Sequence, residues 1–293
     1  SSSAASDVYK RTLYISDLDG TLLNSQGKIS DYSIKTINNL INEGMIFTYA
    51  TARSLVSASP VTRGLIKNLP LIIYNGTFIV NGETGKLLHK NIFNSKQVAH
   101  IKAIMEKNQL KPMVYALVNE KERVTIINEN LHEGVKYYLS KRKTDYRINL
   151  TLDYLSLYEG EVFYFTIIGD YDNLRSAYES LKDDLDYNIT FQQEIYRKEY
   201  WLEIMPKSAS KASAILKLKE LLNCDRIVSF GDAINDLPMF AISDQCYAMA
   251  NAVTSLKQQA TAVIKSNDED GVAHWLKEHV INTCLLYTSD AAD

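Results

Sequence analysis

The pattern of this 293-residue chain changes twice, and these two changes constrain its fold more than any other feature of the sequence. Near both ends, short apolar runs alternate with amphipathic helical segments, whereas the middle carries a different succession of elements. Alternating strands and helices are typical of a parallel sheet with helices packed on its faces. The two end segments are therefore predicted to form one α/β domain, with a second domain inserted between them.

The two end segments give the following prediction in detail. Ser30 is a plausible N-cap of the first helix, and Gly44 a plausible residue just beyond its end. The elements predicted before the insertion are a strand at 13–17, a helix at 31–43, a strand at 45–51, a helix at 54–68 and a strand at 71–74. The elements predicted after it are a helix at 210–222, a strand at 227–230, a helix at 237–242, strands at 246–249 and 262–264, and a helix at 270–279.

The middle segment begins with FIVNGETGKLL, which favours a β-hairpin because Asn-Gly and Thr-Gly pairs stand between apolar pairs. The elements predicted after it are helices at 95–108, 130–140 and 174–185 and strands at 113–118, 124–127, 162–168, 188–193 and 201–205. We therefore expect an α+β domain over 84–205, inserted into a core domain formed by 7–83 and 206–281. Residues 1–6 and 282–293 are interpreted as tails.

Composition excludes several classes of protein. Hydrophobic residues make up 46% of the chain and charged residues 23%, as in soluble globular proteins, so the chain is neither disordered nor collagen-like. The net charge of -3 is too negative for a surface that neutralises nucleic-acid phosphates. The longest apolar run, Leu69 to Tyr74, is far shorter than the ~20 residues of a membrane span. We expect a cytoplasmic protein whose partner is a small molecule, with neither a nucleic-acid nor a membrane partner.

The cysteines and histidines do not indicate a disulfide framework or a zinc site. Cys224, Cys246 and Cys284 are far apart and odd in number, and none belongs to a Cys-x-x-Cys pair. The five histidines include no His-x-x-x-His pair. A reducing compartment fits this usage best.

The first candidate site is the pentapeptide Asp17-Leu18-Asp19-Gly20-Thr21, directly after the first predicted strand. Open parallel sheets bind their ligands at the carboxyl ends of strands. Two carboxylates spaced two residues apart in an extended segment point the same way. An EF-hand is excluded, because that loop needs glycine at its sixth position and a helix before it. A solvated acidic turn explains the pentapeptide equally well on its own.

A second group of acids follows the strand at 227–230, in the segment Gly231-Asp232-Ala233-Ile234-Asn235-Asp236. If a helix begins here, the carboxylates of Asp232 and Asp236 and the amide of Asn235 face one hard cation. Oxygen ligands of this kind suit Mg²⁺. An N-cap followed by a turn is the alternative, because Asp and Asn are common where helices begin.

Thr51 and Lys211 are two further polar residues that each lie at the end of a predicted strand or helix. Thr51 ends the second predicted strand, and Lys211 opens the helix that follows the insertion. Taken alone, each is more simply a capping threonine or a surface lysine.

In this order, the four segments resemble the motifs of the haloacid dehalogenase superfamily of phosphohydrolases: Asp-x-Asp, then Ser or Thr, then Lys, then Gly-Asp-x-x-x-Asp. The insertion between Thr51 and Lys211 makes the chain similar to the Cof-type branch, also called type IIB or C2-capped. The resemblance covers about residues 13–279. It implies a Rossmann-like parallel-sheet core with an inserted α+β cap of the C2 type.

The resemblance also implies a role for each motif residue. Asp17 is expected to attack the phosphorus of a small phosphomonoester and form an aspartyl-phosphate. Asp19 is expected to protonate the leaving oxygen and then to accept a proton from the hydrolytic water. Thr51 and Lys211 are expected to hold the transferring oxygens. The ligands that the resemblance implies for Mg²⁺ are Asp17, the backbone carbonyl of Asp19, Asp232 and Asp236.

The chain departs from the family pattern at two positions where the family often has glycine. Ala52 and Ala212 stand where the family often has glycine after the Thr and the Lys, so we expect slightly altered loops with activity retained. Arg53 and Asn75 are expected to contact substrate, although an ordinary turn explains Asn75 equally well. Asn235 is a further candidate contact to substrate.

Several alternatives stay open. A sugar phosphate is the expected substrate, ahead of nucleotide or cofactor phosphates. A phosphotransferase or mutase uses the same aspartyl-phosphate. A phospho-Asp signalling switch needs neither a proton shuttle such as Asp19 nor a large cap, and an inactive binding protein is disfavoured because no core motif residue is missing. Tyr115, Tyr164 and Tyr196 lie in the predicted cap, where packing is their simplest role. The sequence indicates neither the substrate nor the oligomeric state.

Overall fold

The structure is a computed structural model, and it describes the backbone of residues 10–193 and 197–288 and the side chains of these residues up to 280. Its strands are β1 (Thr12–Ser16), β2 (Ile46–Tyr49), β3 (Leu71–Ile73), β4 (Phe78–Val80), β5 (Leu87–Lys90), β6 (Met113–Val118), β7 (Lys121–Ile127), β8 (Ile148–Thr151), β9 (Glu161–Gly169), β10 (Tyr187–Gln193), β11 (Tyr200–Pro206), β12 (Arg226–Gly231), β13 (Gln245–Met249) and β14 (Ala262–Ile264). Its α-helices are α1 (Asp31–Asn42), α2 (Leu55–Val61), α3 (Ser95–Lys107), α4 (Glu133–Ser140), α5 (Tyr171–Leu181), α6 (Lys211–Leu221), α7 (Leu237–Ala241), α8 (Thr254–Gln259) and α9 (Gly271–Thr288).

The chain divides into two compact units. Ser1–His89 and Ser210–Asp293 form the first, called the core unit below, and Lys90–Ala209 form the second, called the inserted unit. The predicted N-terminal tail at 1–6 and the predicted cap residue Tyr196 lie outside the described residues. That the inserted unit acts as a cap stays a prediction.

The core unit is built on a five-stranded parallel sheet with the strand order β14-β13-β12-β1-β2. This confirms the predicted α/β class. Ser16 on β1 lies opposite Phe230 on β12 and opposite Tyr49 on β2. All three side chains are buried. The carboxyl ends of three neighbouring strands therefore meet at one edge of the sheet, where this class of fold binds ligands.

The first and last helices of the core unit pack against each other. α1 begins as predicted, because the Ser30 side chain accepts a hydrogen bond from the backbone N–H of Ser33. α9 was expected to end near 279, but it continues to Thr288. Part of the segment interpreted as a C-terminal tail is therefore helical, and residues 289–293 lie outside the described residues.

The helix predicted over 54–68 is shorter in the structure, where α2 ends at Val61. Pro60 lies inside its last turn, and Gly64 follows with a φ of +91°. Proline offers no N–H for the helix, and a left-handed residue cannot continue it, so the periodic apolar pattern beyond residue 61 does not stay helical.

The segment at 71–74 was expected to be the third strand of the parallel sheet; it forms a strand at Leu71–Ile73, but its place in the parallel core sheet was predicted wrongly. β3 pairs antiparallel with β4 in a separate sheet with the order β3-β4-β5. A single isolated bridge between Ala50 and Ile72 joins it to the chain beyond β2. The tight turn at Tyr74–Gly76 reverses the chain at once, so the nearest partner of β3 is its own hairpin strand.

The inserted unit is built on a six-stranded sheet with the order β10-β11-β9-β6-β7-β8. Its pairings are antiparallel except that of β7 with β8, which is parallel. The fully buried side chains of Ile101 and Met105 on α3 and of Leu174 and Leu181 on α5 join one core cluster with the sheet. This agrees with the predicted α+β class. The sequence did not predict β8, nor α8 of the core unit.

Among the described residues, no helix has the length and apolar character that crossing a membrane requires.

Candidate active site

The candidate site lies at the carboxyl end of the core sheet, just beyond β1, β2 and β12. Asp17 follows β1 directly, and its backbone N–H donates to the carbonyl of Phe230 at 3.0 Å. Asp232 follows β12 directly. Neighbouring parallel strands in this register place the two carboxylates beside each other, although the chain separates them widely.

Lys211 connects the acids. Its Nζ donates to Oδ1 of Asp17 at 2.6 Å and to Oδ1 of Asp236 at 2.7 Å. The side chains of Lys211, Asp17 and Asp236 are 1%, 7% and 0% exposed, so these contacts are shielded from water. Lys211 is the first residue of α6, and Ser210 fixes that helix start by accepting from the N–H of Ser213.

Asp236 is held in place by backbone as well as by Lys211. Its Oδ2 accepts from the N–H groups of Asp232 and Ala233 at 3.0 and 3.1 Å. The Asp232 carboxylate accepts from the Thr21 hydroxyl at 2.9 Å. One carboxylate oxygen from each of Asp17, Asp232 and Asp236 lies within 4.8 Å of the others. The structure thus brings three of the predicted metal ligands together.

The acids and the lysine change each other's proton affinity. Burial raises the pKa of the Asp17 carboxyl well above its usual range, against the opposing attraction of Lys211. Burial also raises the pKa of Asp232 to about 6. Burial alone would lower the pKa of the Lys211 ammonium, but the charges of Asp17 and Asp236 outweigh it and raise that pKa. Lys211 therefore carries its charge at neutral pH.

This donor set suits a small divalent cation. If all three carboxylates are ionised, the single ammonium leaves two negative charges uncompensated, which favours a bound cation. All three acidic groups are oxygen ligands, and no histidine or cysteine belongs to the cluster in the described part of the chain. Hard oxygen ligands of this kind match Mg²⁺.

The side chain of Asp19 is paired with Arg53 and is not part of that acidic cluster. Nε and Nη2 of Arg53 donate to the two carboxylate oxygens of Asp19 at 2.7 and 2.6 Å. This hydrogen bonding to Asp19 raises the pKa of the Arg53 guanidinium. The Asp19 side chain is 54% exposed, so it can reach molecules in solvent. That its backbone carbonyl binds a metal stays a prediction.

Thr51 and Asn75 lie together. Thr51 is completely buried, and its Oγ1 accepts from the backbone N–H of Arg53 at 3.1 Å, which leaves the hydroxyl proton to donate. The N–H of Asn75 donates to the carbonyl of Thr51 at 2.9 Å. Asn75 has a φ of +53°, as the turn interpretation expects. Its buried Oδ1 has no hydrogen-bond partner among the described residues.

Asn235 lies half-buried in the short 3-10 turn Ile234–Asp236. None of the hydrogen bonds that join the acids in the described chain uses its amide. Asn235 therefore adjoins the acidic cluster in sequence, but no hydrogen bond of the described residues connects its side chain to the cluster.

Two supporting residues were not assigned from the sequence. Thr21 belongs to the first motif, and the structure gives it the hydrogen bond to Asp232. Asn251 donates its side-chain amide to the Gly20 carbonyl at 2.8 Å and accepts from the N–H of Asn267 at 3.1 Å. Asn251 lies just beyond β13, at the end of another strand, and this position in the sequence could have identified it as a candidate.

Gly20 is required where it stands. Its φ is +74°, and a Cβ there would lie 2.2 Å from Oδ2 of Asp232. Any side chain would displace that carboxylate, so the glycine allows the loop after β1 to pass close to the acids.

Comparison with known proteins gives a consistent result. The family model of haloacid dehalogenase-like hydrolases matches residues 14–276. The 5-amino-6-(5-phospho-D-ribitylamino)uracil phosphatase YwtE of Bacillus subtilis is 27% identical, over 89% of this chain and 96% of its own length.

Two solved structures are similar over nearly the whole chain. The crystal structure of a haloacid dehalogenase-like hydrolase from Bacteroides thetaiotaomicron has a TM-score of 0.75 and 27% identity, and covers 92% of this chain and 99% of that one. A crystal structure from Thermotoga maritima has a TM-score of 0.74 and 26% identity, and covers 92% and 97%.

Proposed function

This chain belongs to the haloacid dehalogenase-like hydrolase family and is a phosphatase, and from that premise we propose that it hydrolyses a small phosphomonoester with Asp17 as the nucleophile. The observation that carries the proposal is the position of Lys211, whose ammonium contacts both Asp17 and Asp236 in a buried site. A buried carboxylate at a strand end, held beside a cation, is suited to attack a phosphate group.

Asp17, Asp232 and Asp236 would hold Mg²⁺, together with the backbone carbonyl of Asp19. When bound, the cation supplies positive charge that reduces the repulsion between a phosphate dianion and the carboxylates. Burial raises the pKa of Asp17, so its ionised form needs nearby positive charge. Lys211 supplies part of that charge and orients the carboxylate.

The chemistry proceeds in two displacements. A carboxylate oxygen of Asp17 attacks phosphorus while the bond from phosphorus to the ester oxygen breaks, which gives an aspartyl-phosphate and an alcohol. Asp19, in its protonated form, gives the leaving oxygen its proton. A water molecule then attacks the same phosphorus and gives a proton back to Asp19, which releases inorganic phosphate and restores the Asp17 carboxylate.

Arg53 and Thr51 have supporting roles in this proposal. The two-pronged contact of Arg53 orients the Asp19 carboxylate. The Thr51 hydroxyl can donate to a phosphate oxygen, since its own oxygen already accepts from the Arg53 N–H. Asn75 offers an oxygen without a hydrogen-bond partner among the described residues, which suits a substrate hydroxyl. Asn235 keeps its proposed contact to substrate from its place in the second acidic motif, beside Asp236.

We expect the substrate to be a sugar phosphate or a related polyol phosphate. The name of the Bacillus subtilis relative gives its substrate a phosphate on a ribityl chain, which is a phosphorylated sugar alcohol.

The test is an assay of phosphate release by the purified protein from a panel of phosphorylated metabolites, with and without Mg²⁺. We expect release that depends on Mg²⁺ and falls at least about 1,000-fold in Asp17→Asn, because an amide cannot act as the nucleophile. Asp31→Asn, an exposed acid on α1, is the control and should retain the full rate. A normal rate in Asp17→Asn would remove Asp17 from the mechanism.

A further inference from the structure

The inserted unit contains a cavity of about 180 Å³ between α4, the end of β9 and the start of β11. None of its lining residues belongs to the phosphatase site described above, and all of them come from the inserted unit. It is large enough for one ring, because a dry protein cavity of ~150 Å³ already accepts benzene.

Aromatic side chains form much of the wall. Tyr138 and Trp201 line the cavity with ring centroids 5.9 Å apart and planes inclined at 59°. Tyr138 is buried, whereas the neighbouring Tyr137, also in the wall, is 43% exposed. Inclined rings of this kind offer both a face and an edge to a planar guest.

The cavity depends on a close approach of α4 to the sheet. Gly134, in the first turn of α4, also lines it. A Cβ at this position would lie 2.5 Å from Cγ2 of Ile168 and 3.0 Å from Cγ of Glu199. A larger residue would push the helix away from the strand, so the glycine preserves the shape of the site.

Among the described residues, one of the two cations in the wall has no ion-pair partner. Arg197 stacks on Tyr137 at 4.1 Å, and its Nε and Nη2 donate to the Glu199 carboxylate at 2.9 and 2.6 Å. Arg142 stacks on Tyr138 at 3.9 Å. Among the described residues, no carboxylate oxygen lies within 4.0 Å of a nitrogen of Arg142. The charge of Arg142 is nevertheless one of the causes that lower the pKa of the Asp145 carboxyl.

Stacking occupies the face of the Arg142 guanidinium and leaves its N–H edge for an acceptor. One N–H reaches the Tyr138 carbonyl at a long 3.4 Å. A guanidinium has five N–H groups, and two parallel ones fit a carboxylate. The wall therefore offers an aromatic surface and a fixed site for an anion side by side.

We propose that this cavity binds a small aromatic carboxylate of one ring, with the ring against Tyr138 and Trp201 and the carboxylate on Arg142. The volume sets the limit of one ring, the aromatic wall selects a planar guest, and the uncompensated guanidinium selects a negative one. No residue of the Asp17 cluster lines the cavity, so binding there does not use those carboxylates.

Trp201 makes binding measurable in the full-length protein. The probe is pyridine-3-carboxylate, an electron-poor aromatic acid that quenches tryptophan fluorescence, with the neutral pyridine-3-carboxamide as its match in shape. We expect saturable quenching by the acid, loss of that quenching in Trp201→Phe, and at least tenfold weaker binding of the amide. Equal affinities for acid and amide, or no saturable quenching, would overturn the proposal.

Two variants test the assignment to Arg142. Arg142→Met should weaken binding of the acid at least tenfold, whereas Lys143→Met, which removes an exposed neighbouring charge, should not change it. Circular dichroism checks that both variants fold. If Arg142→Met does not fold, Arg142→Lys keeps the charge but loses the two-pronged contact, and it should weaken binding by a smaller factor. Unchanged binding in the folded Arg142 variant would show that this side chain does not hold the anion.

Discussion

Nζ of Lys211 lies 2.6 Å from Oδ1 of Asp17, although the two residues are 194 positions apart in the sequence. The contact joins the loop after β1 to the first residue of α6, and both side chains are buried. A buried carboxylate without its cation is costly, so this contact is expected to matter for folding as well as for chemistry.

Lys211→Met should therefore lower the free energy of unfolding by about 3–5 kcal/mol at neutral pH, because it leaves the Asp17 and Asp236 carboxylates buried without the cation that they share. Urea denaturation measures the effect. Lys217→Met, on an exposed face of the same helix, is the control and should change stability by less than about 0.5 kcal/mol. A loss no larger than the control's would mean that the two acids do not depend on this ammonium.

Asp19→Asn should affect substrates according to their leaving group. A poor alkoxide leaving group needs a proton, whereas the leaving group of 4-nitrophenyl phosphate does not. We expect the single-turnover rate of phosphoryl transfer to fall by about 10²–10⁴ for an alkyl phosphate and at least tenfold less for the aryl phosphate. Glu43→Gln, an exposed acid beyond α1, should leave both rates unchanged. Equal losses on both substrates would contradict a proton-transfer role for Asp19.

Asp232→Ala should weaken Mg²⁺ binding, because it removes one of three carboxylates in the cluster. Thermal unfolding gives a readout independent of activity, since a ligand that binds only the folded protein raises its melting temperature. We expect the Mg²⁺ concentration needed for half of that stabilisation to rise at least tenfold. Asn235→Ala, three residues further along the chain, should raise this concentration far less. Equal shifts in the two variants would place Asp232 outside the metal site.

Glu203 on β11 should make the stability of the protein depend on pH. Burial raises the pKa of its carboxyl to about 7, from 4.5 for the ordinary group. At pH values between 4.5 and about 7, the Glu203 carboxyl is protonated in the folded protein and ionised in the unfolded chain. The stabilising contribution is therefore complete below pH 4.5 and is lost as the pH rises to about 7.

Glu203→Gln removes this dependence and should raise the free energy of unfolding by about 3 kcal/mol at pH 8, with little gain at pH 4.5. Denaturation curves at the two pH values measure it. Glu120→Gln, an exposed acid at the turn between β6 and β7, is the matched control and should show no such difference. If Glu203→Gln raised the free energy of unfolding equally at both pH values, its effect would come from packing and not from ionisation of Glu203.

The position of the acidic cluster could be predicted from the sequence because its acids stand where strands end. Asp17 and Asp232 each follow an apolar strand, and a parallel sheet brings such ends to one edge whatever their separation along the chain. The parallel core and the inserted α+β unit were predicted for a similar reason, since their periodic patterns are local and long. The roles of the site residues stay predictions.

Other features depend on contacts that no local pattern records. The pairing of Asp19 with Arg53 joins residues 34 apart, and neither neighbourhood indicates it. β3 has the apolar run of a buried parallel strand, yet the turn after it determines its partner. In the inserted unit, Arg147 is buried against Asp145 and Glu122, although an arginine is ordinarily expected at the surface.

The division of the core unit into two distant segments has a consequence for synthesis of the protein. A ribosome that has completed residue 209 has made the nucleophile candidate Asp17 and the strands β1 and β2, but not Lys211, Asp232 or the neighbouring strand β12. The inserted unit, Lys90–Ala209, is contiguous and can fold as soon as it emerges. The candidate site is therefore completed late in translation, and a chain truncated before residue 211 carries Asp17 without the Lys211 ammonium and the acids of the second motif.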